Sequence, residues 1–182
     1  MQKQLNHYEF KQIQKQNSND IIFILDNFEH EENIGSAFRL ADAFNIKKII
    51  IISAKSLDIK KLQKTARNCD QNIPYSVFLN VQEALNEIYD AGYTPVNIEI
   101  TSTSKPLREI NFAEFNKVAL ILGNEKYGVS SEILEKVPLS CHIEMYGNNS
   151  SMNVATSLAI ASYKVSEDLL KLKKIRKKIN IS

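Results

Sequence analysis

Three segments of this chain are apolar at every position: Ile21 to Leu25, Ile49 to Ile52 and Val118 to Leu122. A strand with one wet face alternates apolar and polar side chains, so a strand without alternation has both faces covered. Segments of helical period separate these runs. Asn33 to Asn45 carries Ile34, Ala37, Phe38, Ala41 and Phe44 on or near one face. Strands are expected at Ile21–Leu25, Lys47–Ser53, Tyr75–Phe78, Thr94–Ile100, Lys117–Leu122 and Cys141–Met145. Helices are expected at Leu5–Lys15, Asn33–Asn45, Ile59–Arg67, Val81–Ala91, Ser130–Lys136 and from Ser151 onward. This alternation predicts an α/β fold, a mostly parallel sheet covered by helices on both faces. With no internal repeat or linker, residues 1–182 read as one domain, with a short N-terminal helix within 1–18 and a basic helix end over 166–182.

The 182 residues suffice for one sizeable core. The apolar runs are far too short to cross a bilayer, and Met1-Gln2-Lys3-Gln4 leads into polar sequence without a signal-like apolar stretch. No membrane association and a cytoplasmic location are therefore expected. Cys69 and Cys141 stand far apart and read as buried thiols rather than a disulfide. His7, His30 and His142 share no ligand spacing with each other or with the cysteines, so no metal is expected. The net charge of +2 hides an asymmetry. Lys171, Lys173, Lys174, Arg176, Lys177 and Lys178 lie within eight acid-free residues, and removing them from the 23 basic residues leaves 17 against 21 acids. That tail is either a phosphate-binding arm or a solvated helix end whose cations suit the helix dipole.

Glycine is scarce, and four of the five glycines fall in three apparent strand-to-helix junctions: Asn33-Ile34-Gly35-Ser36, Gly123-Asn124-Glu125-Lys126-Tyr127-Gly128, and Gly147 among Asn and Ser residues. Ligands of parallel α/β sheets bind at such strand ends, and glycine lets the backbone approach them. Gly123 to Gly128 has the spacing of a P-loop, but Val129 stands where the phosphate-binding lysine is required. A G-x-G-x-x-G dinucleotide fingerprint and a G-x-S-x-G elbow are both absent. These failures disfavour an unrelated nucleotide-binding enzyme.

Together the three segments resemble the SpoU (TrmH-like) family of RNA 2′-O-ribose methyltransferases, within the SPOUT superfamily. Asn33 to Phe44, with Arg39 six residues after Asn33, looks like the first motif. Ala119 to Ser130, with Gly123, Glu125 and Gly128, looks like the second. Ile143 to Val154 looks like the third, reading Met145-Tyr146-Gly147 and then Ser151-Met152-Asn153-Val154. The likeness runs from about Ile21 to Val165 with the motifs in order. In two places the chain departs from the family: Glu144 replaces the usual proline, which stiffens that segment, and Met152 replaces leucine at similar volume.

The resemblance implies a C-terminal trefoil knot, which sequence pattern alone would not suggest because knots are very rare. It also implies S-adenosylmethionine as cofactor, a homodimer with the site at its interface, and RNA as substrate, with tRNA the first choice and rRNA the second. The implied catalytic set is Arg39, Asn33, Glu125, Ser151 and Asn153. Ile100, Gly123, Ile143, Gly147, Ser151 and Met152 are the implied cofactor contacts. Arg39 is implied for RNA, joined by Lys173, Lys174, Arg176, Lys177 and Lys178 of the tail. Each has a plainer reading: Arg39 as a surface arginine paired with Asp42, Asn33 as a helix cap, Glu125 as a solvated loop acid, Ser151 and Asn153 as caps of the last helix. The main alternative function is the same fold holding RNA without catalysis.

Overall fold

The structure, a computed structural model, describes residues 4–6, 9, 20–55 and 58–179, with the backbone alone at 59 and 175–179. Most of the expected N-terminal helix lies outside these residues. Asn6 and Glu9 exchange side-chain-to-backbone hydrogen bonds at 2.9 and 3.0 Å, the reciprocal pairing of a helix-opening capping box.

Along the chain come β1 (Ile21–Asp26), α1 (Glu31–Phe44), β2 (Lys48–Ile52), α2 (Ile59–Ala66), β3 (Tyr75–Phe78), α3 (Val81–Asp90), β4 (Thr94–Ile98), β5 (Lys105–Pro106), β6 (Val118–Leu122), α4 (Ser131–Lys136), β7 (Ser140–His142) and α5 (Val154–Ile179). All seven strands run parallel in the order β3-β2-β1-β6-β4-β7-β5. The unalternating strands do what they must. In β1, Ile21, Phe23 and Leu25 face one core, and Ile22 and Ile24 the other. The first core receives Ala37 and Phe38 of α1, Leu62 and Ala66 of α2, and Leu158, Ala161 and Val165 of α5. The second receives Val81, Ala84, Leu85 and Ile88 of α3 and Ile133 of α4. Each fully buried Ile or Leu contributes about 1.5–3 kcal/mol, which fixes the strands and leaves their carboxyl ends to carry loops.

Several expected boundaries move. The last strand ends at His142 rather than Met145, because β7 pairs with β4 and β5 only through Ser140, Cys141 and His142. The last helix opens at Val154 rather than Ser151, leaving 143–153 irregular. Cys69 and Cys141 are free thiols, and burial pushes the Cys141 thiol up to about 12.

The first helix opens at Glu31, so Gly35 is inside α1 rather than at its mouth. Its role is packing, not ligand approach: a Cβ there would lie 2.6 Å from the backbone carbonyl carbon of Thr65 in α2. Helix propensity alone would favour Gly35→Ala by about 1 kcal/mol. Overpacking against a backbone that cannot rotate away costs about 1–3 kcal/mol or more. The expected result is a net loss of about 1–2 kcal/mol, read as a lower urea midpoint at unchanged slope. An equal or higher midpoint would show that the two helices separate freely.

Candidate functional site

The loop Gly123–Ser130, at the carboxyl end of β6, is tied to its neighbours by carboxylates and amides. Asp26, at the end of β1, accepts the Ser130 N–H at 2.7 Å. Glu99, just past β4, accepts the Val129 N–H at 3.0 Å. Asn124 donates to the Asn27 carbonyl at 2.8 Å. Within the loop, Asn124 and Gly128 exchange backbone hydrogen bonds at 2.9 Å, and Asn124 Oδ1 accepts the N–H groups of Lys126 and Tyr127. The amides that a P-loop would turn toward phosphate are therefore occupied internally. Gly128 has φ +71°, and its missing side chain leaves room for the Glu99 carboxylate.

Glu125 is not a solvated loop acid. Its Oε2 accepts the Glu29 N–H at 2.9 Å, and its Oε1 accepts the His30 N–H at 3.2 Å and Asn33 Nδ2 at 2.7 Å. It thereby caps α1, whose own N-cap residue, His30, makes no side-chain cap bond. Asn33 is not a cap either, since it lies inside the helix. Its Oδ1 accepts Asn153 Nδ2 at 3.1 Å. Asn153 does cap α5, accepting the N–H groups of Ala155 and Thr156 at 2.9 and 3.2 Å. Asn153, Asn33 and Glu125 thus form one relay. Burial acts to raise the Glu125 pKa, but Asn33 and the Glu29 and His30 amides outweigh it and hold the carboxyl below its usual range. It is an ionised anchor and a weak base.

Beside the relay lies a cleft of about 300 Å³, walled by residues 98–100 past β4, by 122–128, and by 142–157. Ile100, Gly123, Ile143, Ser151 and Met152 all line it, as expected for them, but Gly147 does not; it is exposed, with no atom within 4 Å of the position a Cβ would take. Glu99, His142 and Met145 also line it and were not foreseen. The one sequence signal for Glu99 was an acid inside the expected strand Thr94–Ile100, which the structure ends at Ile98. Arg39 stands apart. Its Nη2 donates to Ser36 Oγ at 2.9 Å, not to Asp42. It is exposed, about 9 Å along the helix axis from Asn33. Ser151 is exposed at the cleft wall. Glu144, in the position of the family's proline, is ion-paired with Arg108, which follows β5 and also donates to Tyr146 Oη at 3.2 Å. A side-chain brace thus occupies the place where the proline would give stiffness.

In the basic tail, Lys171 lies 3.4 Å from Asp168 and Lys173 3.5 Å from Asp20, while Lys174 is exposed. The side chains of Arg176, Lys177 and Lys178 lie outside the described residues.

A parallel sheet with its cleft and polar relay at the carboxyl ends of β1, β4 and β6 is the fold of SPOUT methyltransferases. Residues 20–163 match the family model described as the SpoU rRNA Methylase family, and the chain belongs to that family. A Staphylococcus saprophyticus protein assigned to the TrmH family of tRNA/rRNA methyltransferases is 28% identical over 79% of this chain and 57% of its own length. Relatives of this kind are longer, and the chain spans 57% to 67% of the first four. An AdoMet-bound rRNA methyltransferase from Sinorhizobium meliloti superposes with TM-score 0.74 at 22% identity, over 84% of this chain and 58% of that one. A structure described for 2-OH methylation of C/U34 on tRNA superposes with TM-score 0.71 at 22% identity, over 83% and 97%. These structural likenesses show the fold.

Because the folded Glu125 pKa lies below its unfolded value, its stabilisation is complete above the ordinary carboxylate range, about 4.3. It is lost as pH falls through the depressed folded value. Glu125→Gln should lose about 1.5–3 kcal/mol at pH 7, the scale of hydrogen bonds to a charged group. In denaturant melts the gap to wild type should close in acid. A gap that persists unchanged at low pH would mean the charge is not what stabilises the cap.

Proposed function

We propose that this chain binds S-adenosylmethionine in the cleft and methylates a ribose 2′-hydroxyl of RNA, with tRNA the first choice and rRNA the second. The observation that carries this reading is the relay itself. Asn33, Glu125 and Asn153 come from three motifs up to 120 positions apart and meet in one hydrogen-bonded line beside the cleft. The cleft suits the cofactor: Ile98, Ile100, Leu122, Ile143 and Met152 offer apolar walls for a purine, and Ser150 and Ser151 offer polar ends. When bound, the cofactor supplies the activated methyl group. The chain's residues supply position. Gly123 and Ile143 present backbone to the adenosine, Met152 packs against it, and Ser151 orients polar groups at the wall.

A guanidinium stays protonated in ordinary settings, so Arg39 is a poor base. Its role in this reading is to grip an RNA phosphate and stabilise the developing 2′-alkoxide. Arg39 is exposed and does not line its own chain's cleft, which supports the family's homodimer, with Arg39 of one protomer serving the cleft of the other. The family's C-terminal trefoil knot belongs to the same reading.

Arg39→Ala should lower transfer of labelled methyl from S-adenosylmethionine to tRNA by about 10²–10³-fold, the usual loss on removing an oxyanion-stabilising donor. The cofactor affinity measured by calorimetry should not change. Normal turnover would remove Arg39 from the chemistry. Wild-type protein that binds RNA but no cofactor would establish the non-catalytic RNA-binding module instead.

A further inference from the structure

Helix α2 gathers cations at both ends: Lys64 in its last turn suits the helix dipole, whereas Lys60 and Lys61, behind the capping Asp58, oppose it. Its first turn holds no acid, so Lys60 and Lys61 sit at the positive end of the helix dipole. Lys60 and Lys64, at i and i+4, share one face, where like charges oppose helix formation by a few tenths of a kcal/mol per pair, and Arg67 follows as the left-handed C-cap of the helix. All three are exposed, and none has an ion-pair partner among the described residues. Lys61 differs: it turns toward α1, with its Nζ 2.8 Å from Glu31 Oε2. Leu62 and Ala66 enter the core. The face of α2 opposite the core is therefore a bare row of cations, with the polar Gln63 beside it and no apolar side chain to enter a lipid surface.

The packing of α2 gives this row a direction. Gly35 lets α2 lie close against α1, and Thr65 Oγ1 donates to the Glu31 carbonyl at 3.2 Å. The helices run side by side in the same sense. Lys61 meets Glu31, Thr65 meets Glu31 and Gly35, and Cys69, just beyond α2, lies within electrostatic reach of Arg39 and Asp42. The row thus runs in the same sense as the helix that carries Arg39, and the chain just past it, at Cys69, comes near Arg39. Among the described residues of the tail, Lys164 and Lys171 pair with Asp168 and Lys173 pairs with Asp20.

We propose that Lys60, Lys64 and Arg67 form a phosphate-binding track that leads an RNA backbone along α2 to Arg39. The proposal rests on the reading of RNA as substrate. Its test is the binding of fluorescently labelled bulk tRNA, and separately of rRNA fragments, between about 50 and 200 mM salt. Each phosphate contact contributes about 0.7–0.9 to the slope of log affinity against log salt. The variant K60Q/K64Q/R67Q should therefore lose about two to three units of slope and bind at least tenfold more weakly at low salt. K61Q, whose charge is already paired with Glu31, should keep the wild-type slope. If the triple variant melts early, K60Q and K64Q alone should each lose a little under one unit. A triple-variant slope equal to wild type overturns the track, as does an equal loss in K61Q. Wild type that binds neither RNA with salt dependence overturns both the track and the RNA reading. A slope change in protein that binds no S-adenosylmethionine overturns the enzyme reading and leaves the track standing.

Discussion

The site depends on carboxylates that hold backbone N–H groups across strand ends. Asp26, Glu99 and Glu125 each accept a backbone amide from a different chain segment, and together they join the ends of β1, β4 and β6 through the loop 123–130. Burial of the strands fixes where the sheet lies but not how its loops stand, because loops contribute little apolar area. A hydrogen bond to an ionised group contributes about 1.5–3 kcal/mol, enough to hold a short loop in one conformation. The cleft exists because these bonds keep 122–128 upright between the β4 and β7 loops.

The relay explains why amides occupy positions 33 and 153. Glu125 is ionised and can only accept, so Asn33 must donate to it. Asn33 then has its carbonyl oxygen free, and Asn153 donates to that oxygen while its own oxygen accepts the first amides of α5. A side chain with both a donor and an acceptor is needed at each middle position. Asp at either would place two acceptors face to face. The plain capping function and the site function of Asn153 are therefore one arrangement: capping fixes the oxygen and so aims the nitrogen.

Much of the fold was legible because hydrophobic period is local. Ile21–Leu25, Tyr75–Phe78 and Val118–Leu122 announce buried or edge strands within a few residues, and the βα alternation implies a parallel sheet. The strand order was not legible, nor was the two-residue β5, because neither leaves a periodic trace. In the site, the same division holds. Asn33, Glu125 and Asn153 were visible as motif positions, but their mutual contact was not, since partners lie 92 and 120 positions apart. Gly35 read as a ligand-approach glycine because its contact, Thr65, is thirty residues away. Gly147 read as part of the cofactor wall because motif proximity stood in for geometry. The Arg108–Glu144 pair was invisible for the same reason, which made Glu144 look like a loss of stiffness when it is one half of a brace.

The relay also limits where the chemistry can come from. Glu125 is held ionised by three N–H groups and would lose those bonds on taking a proton, so it cannot serve as an effective base. Asn33 and Asn153 are carboxamides and do not take up a proton at neutral pH. Every polar group in the line is committed to holding another. On the proposed reading, proton removal and charge stabilisation must then be assisted from outside the line, where Arg39 and Lys126 are the motif cations and Arg39 is the one assigned to RNA. Its free reach is consistent with that division. On that reading the relay shapes the cleft, and the exposure of Arg39 leaves it open to an RNA phosphate that would arrive only with the substrate.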